Sequence, residues 1–260
     1  MRTGHYLDPA QLFMSVPLAI GGLLWIITYI LIIRCCFRDR AYGLPMFAIC
    51  LNITWESWEL VACVPAGDAM GLCPKPSGGT YLLQWAEVAG VGVDVLWFVL
   101  DAFLLYQLFR FGRSLEPVEQ IRRRWNTCLV GLLVFFFFVH YGFVTYYDDV
   151  FMIVDGWIIN MIMSLSFLFL LFDRQEQGLR GISWPAAWTK MVANLFYAGG
   201  LTWIYMADAL EHLSSPGETH AFMYVMFAAT FVFDATYVAL LASVRRRGGA
   251  APAHLRPSVV

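Results

Sequence analysis

Two apolar stretches of this chain each carry acids whose spacing sets them on one helical face, and a third carries a single acid. Asn52, Glu56 and Glu59 stand at i, i+4 and i+7 in the run Asn52-Ile53-Thr54-Trp55-Glu56-Ser57-Trp58-Glu59. Glu87, Asp94 and Asp101 recur at a heptad interval beside Trp97 and Phe98, and Asp234 lies between Thr230 and Tyr237. A carboxylate at membrane depth costs roughly 2.5–3.5 kcal/mol on insertion scales, so acids that persist there share an interior and mark chemistry. The plainer alternative is an acid that packs helices or solvates a cavity. Neighbouring buried carboxyls resist ionising together, so at least one is expected to hold a proton and to deliver it to a group that water would not protonate.

Beside these acids stand Trp55, Trp58, Trp97, Trp157, Trp203, Tyr237 and the run Phe135-Phe136-Phe137-Phe138. An aromatic face steadies a cation by ~0.5–2 kcal/mol, more when dry. Interface belts and lipid-facing bulk account for most of the 17% aromatic content, and Trp55 and Trp58, flanking Glu56, are the stronger candidates for a site.

The elements that must hold these residues follow from composition. The 260-residue chain is 60% hydrophobic and 14% charged, which marks it as a membrane protein. Seven apolar segments, at 11–33, 41–63, 82–109, 127–147, 151–172, 189–207 and 220–243, each approach the ~20 residues a spanning helix needs. The fold expected is all-α, a polytopic bundle of seven transmembrane helices forming one domain over 1–247, with a disordered tail over 248–260. No cleaved leader is read before the first segment.

Of the 17 basic residues, 15 follow segments one, three, five and seven: Arg34, Arg38, Arg40, Arg110, Arg113, Arg122, Arg123, Arg124, Arg174, Arg180, Lys190, Arg245, Arg246, Arg247 and Arg256. Arg2 and Lys75 fall on the other side, so the N-terminus is expected outside and the C-terminus in the cytoplasm. The basic face is a topology signal and implies no nucleic-acid partner. Counting 1.5 Å per residue from the inner arginines, Glu56 and Asp94 lie roughly 24 Å up, Asp234 roughly 16 Å and Asp101 roughly 13 Å, all within the hydrocarbon core. The six cysteines show no metal-ligand spacing, though Cys63 and Cys73 bracket an outer loop.

Residue detail then points to a family. The stretches Trp25-Ile26-Ile27-Thr28-Tyr29, Arg40-Ala41-Tyr42-Gly43-Leu44-Pro45 and Asn52-Ile53-Thr54-Trp55-Glu56 resemble the first two spans of the small seven-helix terpene cyclases of fungal meroterpenoid and indole-diterpene pathways, which have bacterial relatives in indole-sesquiterpenoid pathways. Asp234-Ala235-Thr236-Tyr237 is similar to their C-terminal Asp-x-x-Tyr segment. The detailed match covers residues 24–60 and 230–240, and the middle is similar in pattern alone. The resemblance implies Glu56 as general acid and Asp234 as second catalytic carboxyl. It implies cyclisation of a lipophilic prenylated substrate, indole-linked or otherwise aromatic, begun by protonating an alkene or epoxide and needing neither metal nor cofactor. The setting is a multi-pass protein of the bacterial cytoplasmic membrane or the endoplasmic reticulum. Asn52, Trp55, Trp58, Glu59, Asp94, Trp97, Asp101 and Tyr237 are expected to line the substrate pocket from their helical faces, with Asp101 helping to orient or recharge the acids.

Rival classes fare less well. The acidic doublet Asp148-Asp149 has no third acid at a Mg²⁺-binding spacing, which disfavours diphosphate-dependent cyclisation. A retinal protein needs a lysine deep in a helix, and Lys75 and Lys190 are read as a loop residue and a helix-end residue. A small proton-coupled transporter is the runner-up, since intramembrane acids also serve transport.

Overall fold

A computed structural model describes residues 9–63, 81–146, 153–206 and 219–250. Among them the chain is all-helical: α1 (Pro9–Asp39), α2 (Met46–Cys63), α3 (Tyr81–Leu115), the short α4 (Glu119–Arg123), α5 (Trp125–Tyr146), α6 (Ile153–Gln175), α7 (Trp184–Met206) and α8 (Thr219–Ala250). Seven of these eight are long, matching the seven apolar segments, and α4 is one turn in the connection that follows α3. The helix α8 continues through Ala250, past the expected start of the tail.

Among the described residues, five helices contain windows long and apolar enough to cross a membrane: Val16–Asp39, Val95–Leu115, Trp125–Phe143, Val154–Gln175 and Ala221–Arg247. The protein is a polytopic, multi-pass membrane protein. The two long helices outside that group, α2 and α7, carry Asn52, Thr54 and Glu56, and Lys190 and Asn194. Their polar content lowers their hydropathy, so these two depend on neighbours rather than on lipid to satisfy their side chains.

Packing supplies those neighbours. Helix α2 lies against α3, α5 and α6, while α1 packs along α7 and α3, and α8 along α6 and α7. Close approach of α1 to α7 needs Gly21, where an added Cβ would stand 2.9 Å from the Tyr197 backbone nitrogen. Thr28 on α1 donates to the Thr189 hydroxyl on α7 at 2.8 Å, a polar contact that apolar lipid could not replace. By contrast α5 borders the periphery, with 11% of its apolar window buried and Phe135 and Phe138 among its exposed rings. Those two phenylalanines are lipid-facing bulk.

One end of the bundle is closed by interlocked turns. Arg180 donates to the carbonyls of Asp39 at 3.0 Å and Arg40 at 3.2 Å, and the Gly181 N–H donates to the Asp39 carboxylate at 3.0 Å. Gly181 adopts φ +78°, and a Cβ there would meet the Tyr42 carbonyl at 2.7 Å, so glycine is required twice over.

The structure corrects the reading of Lys190. Helix α7 starts at Trp184 rather than 189, because Ser183 caps it, accepting from the Ala186 N–H at 3.3 Å, and Pro185 fits the first turn. Lys190 therefore sits in the second turn at 2% exposure, a buried side chain and not an inner-face topology determinant. The argument against a Schiff-base lysine, which placed Lys190 at a helix end, falls with it. Arg174 likewise is buried inside the last turn of α6, its guanidinium 4.5 Å from the Tyr42 ring centroid.

Candidate active site

Those acids of the inferred helical faces whose side chains the structure describes turn inward. Asn52, Glu56, Asp101, Thr230, Asp234 and Tyr237 are all buried, each 8% exposed or less. Asn52 and Asp101 belong to one polar network and Asp234 to a second, the two being joined by aromatic rings, and a third network lies against α2.

The first network joins α1, α2 and α3. The Asn52 amide donates to the Tyr29 hydroxyl at 3.0 Å and to Asp101 Oδ2 at 2.5 Å. One turn along α2 stands Glu56, at 2% exposure, and the carboxyls of Glu56 and Asp101 both lie close enough to act electrostatically on the Tyr29 hydroxyl. The i, i+4 register of Asn52 and Glu56 thus aims an amide and an acid at one interior spot. Asp101 reaches that spot from α3.

The second network joins α1, α6, α7 and α8. Lys190 Nζ donates to Asp234 Oδ1 and to Ser164 Oγ, each at 2.5 Å, and the Asn194 amide donates to Asp234 Oδ2 at 2.6 Å. Asn194 Oδ1 accepts from the Trp25 indole at 3.1 Å and from Asn160 at 2.9 Å. The Lys190 ammonium also lies 5.6 Å from the Trp25 ring centroid and 5.3 Å from that of Phe167, and Phe167 in turn contacts Tyr237 with centroids 5.3 Å apart. A void of about 10 Å³, room for a single water, lies against Lys190 and Tyr237.

Trp25 and Tyr29, one turn apart on α1 with ring centroids 5.7 Å apart, bridge the two networks. Tyr29 belongs to the Asn52–Asp101 side and Trp25 to the Asp234 side. An apolar chain lying between the networks would meet aromatic faces flanked by carboxyls.

The third network holds α5, α6 and α2 together. His140 Nδ1 is 2.5 Å from Asp155 Oδ2, and His140 Nε2 is 3.0 Å from the Leu51 carbonyl and 3.1 Å from Thr54 Oγ1. Both ionisable groups are buried. They brace the turn of α2 just before Glu56.

The aromatic candidates divide. Trp55 is partly buried and fills space left by Gly156 of α6, where an added Cβ would come 3.2 Å from its ring. Trp97 faces α1, its ring 3.7 Å from where a Cβ on Gly22 would stand. Trp58 turns to α5, donating to the Phe137 carbonyl at 2.8 Å and stacking on Phe137 at 4.9 Å. Trp157 belongs to a satellite apolar cluster with Met223 and Met226. The side chains of Glu59, Asp94, Glu87 and Trp203 lie outside the described residues, as do Cys73, Asp148 and Asp149.

Lys190, Asn194, His140 and Asp155 were not singled out by spacing. The available signal was a polar residue within an apolar helix: Lys190 and Asn194 stand at i, i+4 on α7, while His140 and Asp155 lie on two different helices and share no face.

Comparison with known proteins finds a family match over most of the chain. The model of the Pyr4-like transmembrane terpene cyclases matches residues 5–66 and 81–247. The chain is 26% identical to the Pyr4-family terpene cyclase mfmH of Annulohypoxylon moriforme over 234 residues, covering 87% of this chain and 84% of the relative. It is 26% identical to the terpene cyclase macJ of Penicillium terrestre over 199 residues, covering 73% and 67%, and 27% identical to the terpene cyclase esdpB of Penicillium shearii over 191 residues, covering 70% and 66%. No solved structure matches. With both networks, Glu56 and Asp234 included, inside the matched residues, the chain belongs to the Pyr4-like transmembrane terpene cyclases.

Proposed function

We propose that this chain cyclises a lipophilic prenylated substrate, indole-linked or otherwise aromatic, by protonating a terminal alkene or epoxide of the prenyl arm. Glu56 is the general acid and Asp234 the second carboxyl of the site. The observation that carries this reading is the burial of Glu56 at 2% exposure one turn from Asn52, whose amide holds a second buried carboxyl, Asp101, in a cyclase of this family. Proton delivery from a positioned acid contributes typically ~10²–10⁴-fold, and a dry pocket protects the cation that follows from capture by water.

The remaining residues have supporting roles. Asp101 and Asn52 orient the acid side of the pocket, and Trp55, Trp97, Trp25 and Tyr237 offer ring faces to the travelling charge. Trp58, stacked on α5, supports the wall. The substrate, soluble in lipid, enters from the bilayer, and the cation is quenched by deprotonation or by the attached aromatic group. No metal or cofactor takes part in this reaction.

Orientation completes the proposal. Arg34 and Arg38 near the end of α1 and Arg245 near the end of α8 line one groove with Trp184 at the start of α7. This basic end faces the cytoplasm and the N-terminus lies outside, with seven helices spanning. A reporter fused after Arg247 is expected to read as cytoplasmic and one near Gly71 as external; the reverse pattern would overturn the orientation.

The reaction itself is tested by incubating the purified protein in detergent with prenylated indoles and their epoxides. Cyclisation conserves mass, so retention time and NMR identify the product. New cyclic isomers formed without any membrane gradient are the expected result, and unchanged substrate across both series would contradict the reading.

A further inference from the structure

Asp234 is the carboxyl whose hydrogen-bond partners are most completely defined, and they constrain its charge. The Trp25 indole N–H can only donate, so its 3.1 Å contact requires an acceptor, which makes Oδ1 the oxygen end of the Asn194 amide. The amide's other end, an NH₂ donor, therefore faces Asp234 Oδ2 at 2.6 Å. The other carboxyl oxygen faces Lys190 Nζ at 2.5 Å. Oδ2 thus meets an N–H donor, at which a carboxyl proton would point, while Oδ1 and Lys190 Nζ share one proton whose place the surroundings of the lysine decide. Lys190 in turn has two oxygen acceptors, Asp234 and Ser164, and two aromatic faces, Trp25 and Phe167, all of which favour its ammonium form.

We propose that Lys190 is a positioning residue of the cyclase site: as the counter-ion of Asp234 it holds that residue as a carboxylate, so that Asp234 acts as a fixed negative charge facing the cation and the initiating proton is left to Glu56. The functional half of this statement rests on the assignment of Asp234 to the site made above. The charge half stands on the hydrogen bonds and ring contacts of Lys190 and Asp234. Removing one member of a buried ion pair leaves the other uncompensated, and a carboxyl so stranded takes up a proton from solvent. Lys190→Met therefore converts Asp234 to its neutral acid without touching its side chain. The double substitution Lys190→Met/Asp234→Asn removes the stranded charge and restores a neutral, hydrogen-bonded pairing with Asn194.

Infrared spectroscopy of the protonated-carboxyl band reads this without any substrate. Asp234→Asn in the otherwise native protein is expected to leave that band unchanged, because Asp234 contributes nothing to it. Lys190→Met is expected to add one carboxyl band, and the double variant to lose it again. Turnover of Lys190→Met should fall by at least about 100-fold at neutral pH and rise at least about tenfold with increasing pH as Asp234 is ionised, a recovery that a purely structural lysine would not produce. Loss of a protonated-carboxyl band on Asp234→Asn alone would overturn the proposal, and this comparison decides the charge state even where Lys190→Met fails to fold. A folded Lys190→Met protein with no new band, or with wild-type turnover and pH profile, would overturn it equally. If the bands behave as expected while no substrate is ever cyclised, the ion pair stands and the cyclase assignment is what fails.

Discussion

Asp101 and Asp234 are the same residue type, both buried, in adjoining networks, yet their surroundings differ in one decisive respect. Asp234 is bonded to a lysine ammonium and an amide. Asp101 is bonded to the Asn52 amide beside a tyrosine hydroxyl, and among the described residues no lysine or arginine is bonded to it. A buried carboxyl bonded to a cation can stay ionised, whereas one held by neutral groups is driven by desolvation toward its neutral form. The difference separates a proton-holding side, with Glu56 and Asp101, from a charge-holding side at Asp234. Trp25 and Tyr29 form the seam between them.

The largest effect that would break this contrast comes from neutralising each aspartate in turn. Asp234→Asn is expected to cost ~10²–10⁴-fold in turnover, since it removes the fixed charge outright. Asp101→Asn should cost about tenfold, because Asn52 and Tyr29 keep a hydrogen-bonding partner of the same shape. Rates measured on detergent-purified variants check the order, and an Asp101→Asn loss exceeding that of Asp234→Asn would reverse the division.

A second break concerns stability. His140 and Asp155 pair beside α2, and Asp155→Ala removes the carboxylate that faces Nδ1 of the buried His140, whose Nε2 meets Leu51 and Thr54 of α2. Severing a buried pair of this kind costs about 3–5 kcal/mol. Thermal unfolding should shift down accordingly while the product of the surviving enzyme stays the same. A changed product at unchanged stability would move this pair into the active site.

The smallest effect separates the tryptophans. Trp97→Leu and Trp55→Leu are expected to release partly cyclised or differently deprotonated isomers, since losing ~1.4 kcal/mol at one cation slows one branch tenfold. Trp58→Leu should lower stability with the product spectrum intact, because its ring is engaged with Phe137. Product profiling by chromatography and NMR distinguishes the two classes.

How far the residues announced all this depends on whether the signal was local. Helix existence was legible, because seven apolar runs of spanning length each became a long helix, and the inward turn of Asn52 and Glu56 on α2 followed from their i, i+4 spacing. The start of α7 was misread because Lys190 resembled a terminal basic residue, while the cap at Ser183 lay upstream in a mixed stretch. Its partner is 44 residues away on α8, and no periodicity encodes a contact between helices. The His140–Asp155 pair was hidden for the same reason, since each is a single polar residue in an apolar helix and only packing shows that they meet. The aromatic run at 135–138 divides between lipid and protein at helical spacing, Phe135 and Phe138 outward and Phe137 against Trp58.

The central claim is that Glu56 delivers the initiating proton, and Glu56→Gln measures it most directly. The amide keeps the shape of the side chain and its capacity to hydrogen-bond but cannot give up a proton. Single-turnover assays of the purified variant, with folding verified by its melting temperature, are expected to show cyclic product reduced by ~10²–10⁴-fold or more with substrate binding retained. A well-folded Glu56→Gln protein that forms the native product within about threefold of the wild-type rate would contradict the assignment and move the proton donor elsewhere.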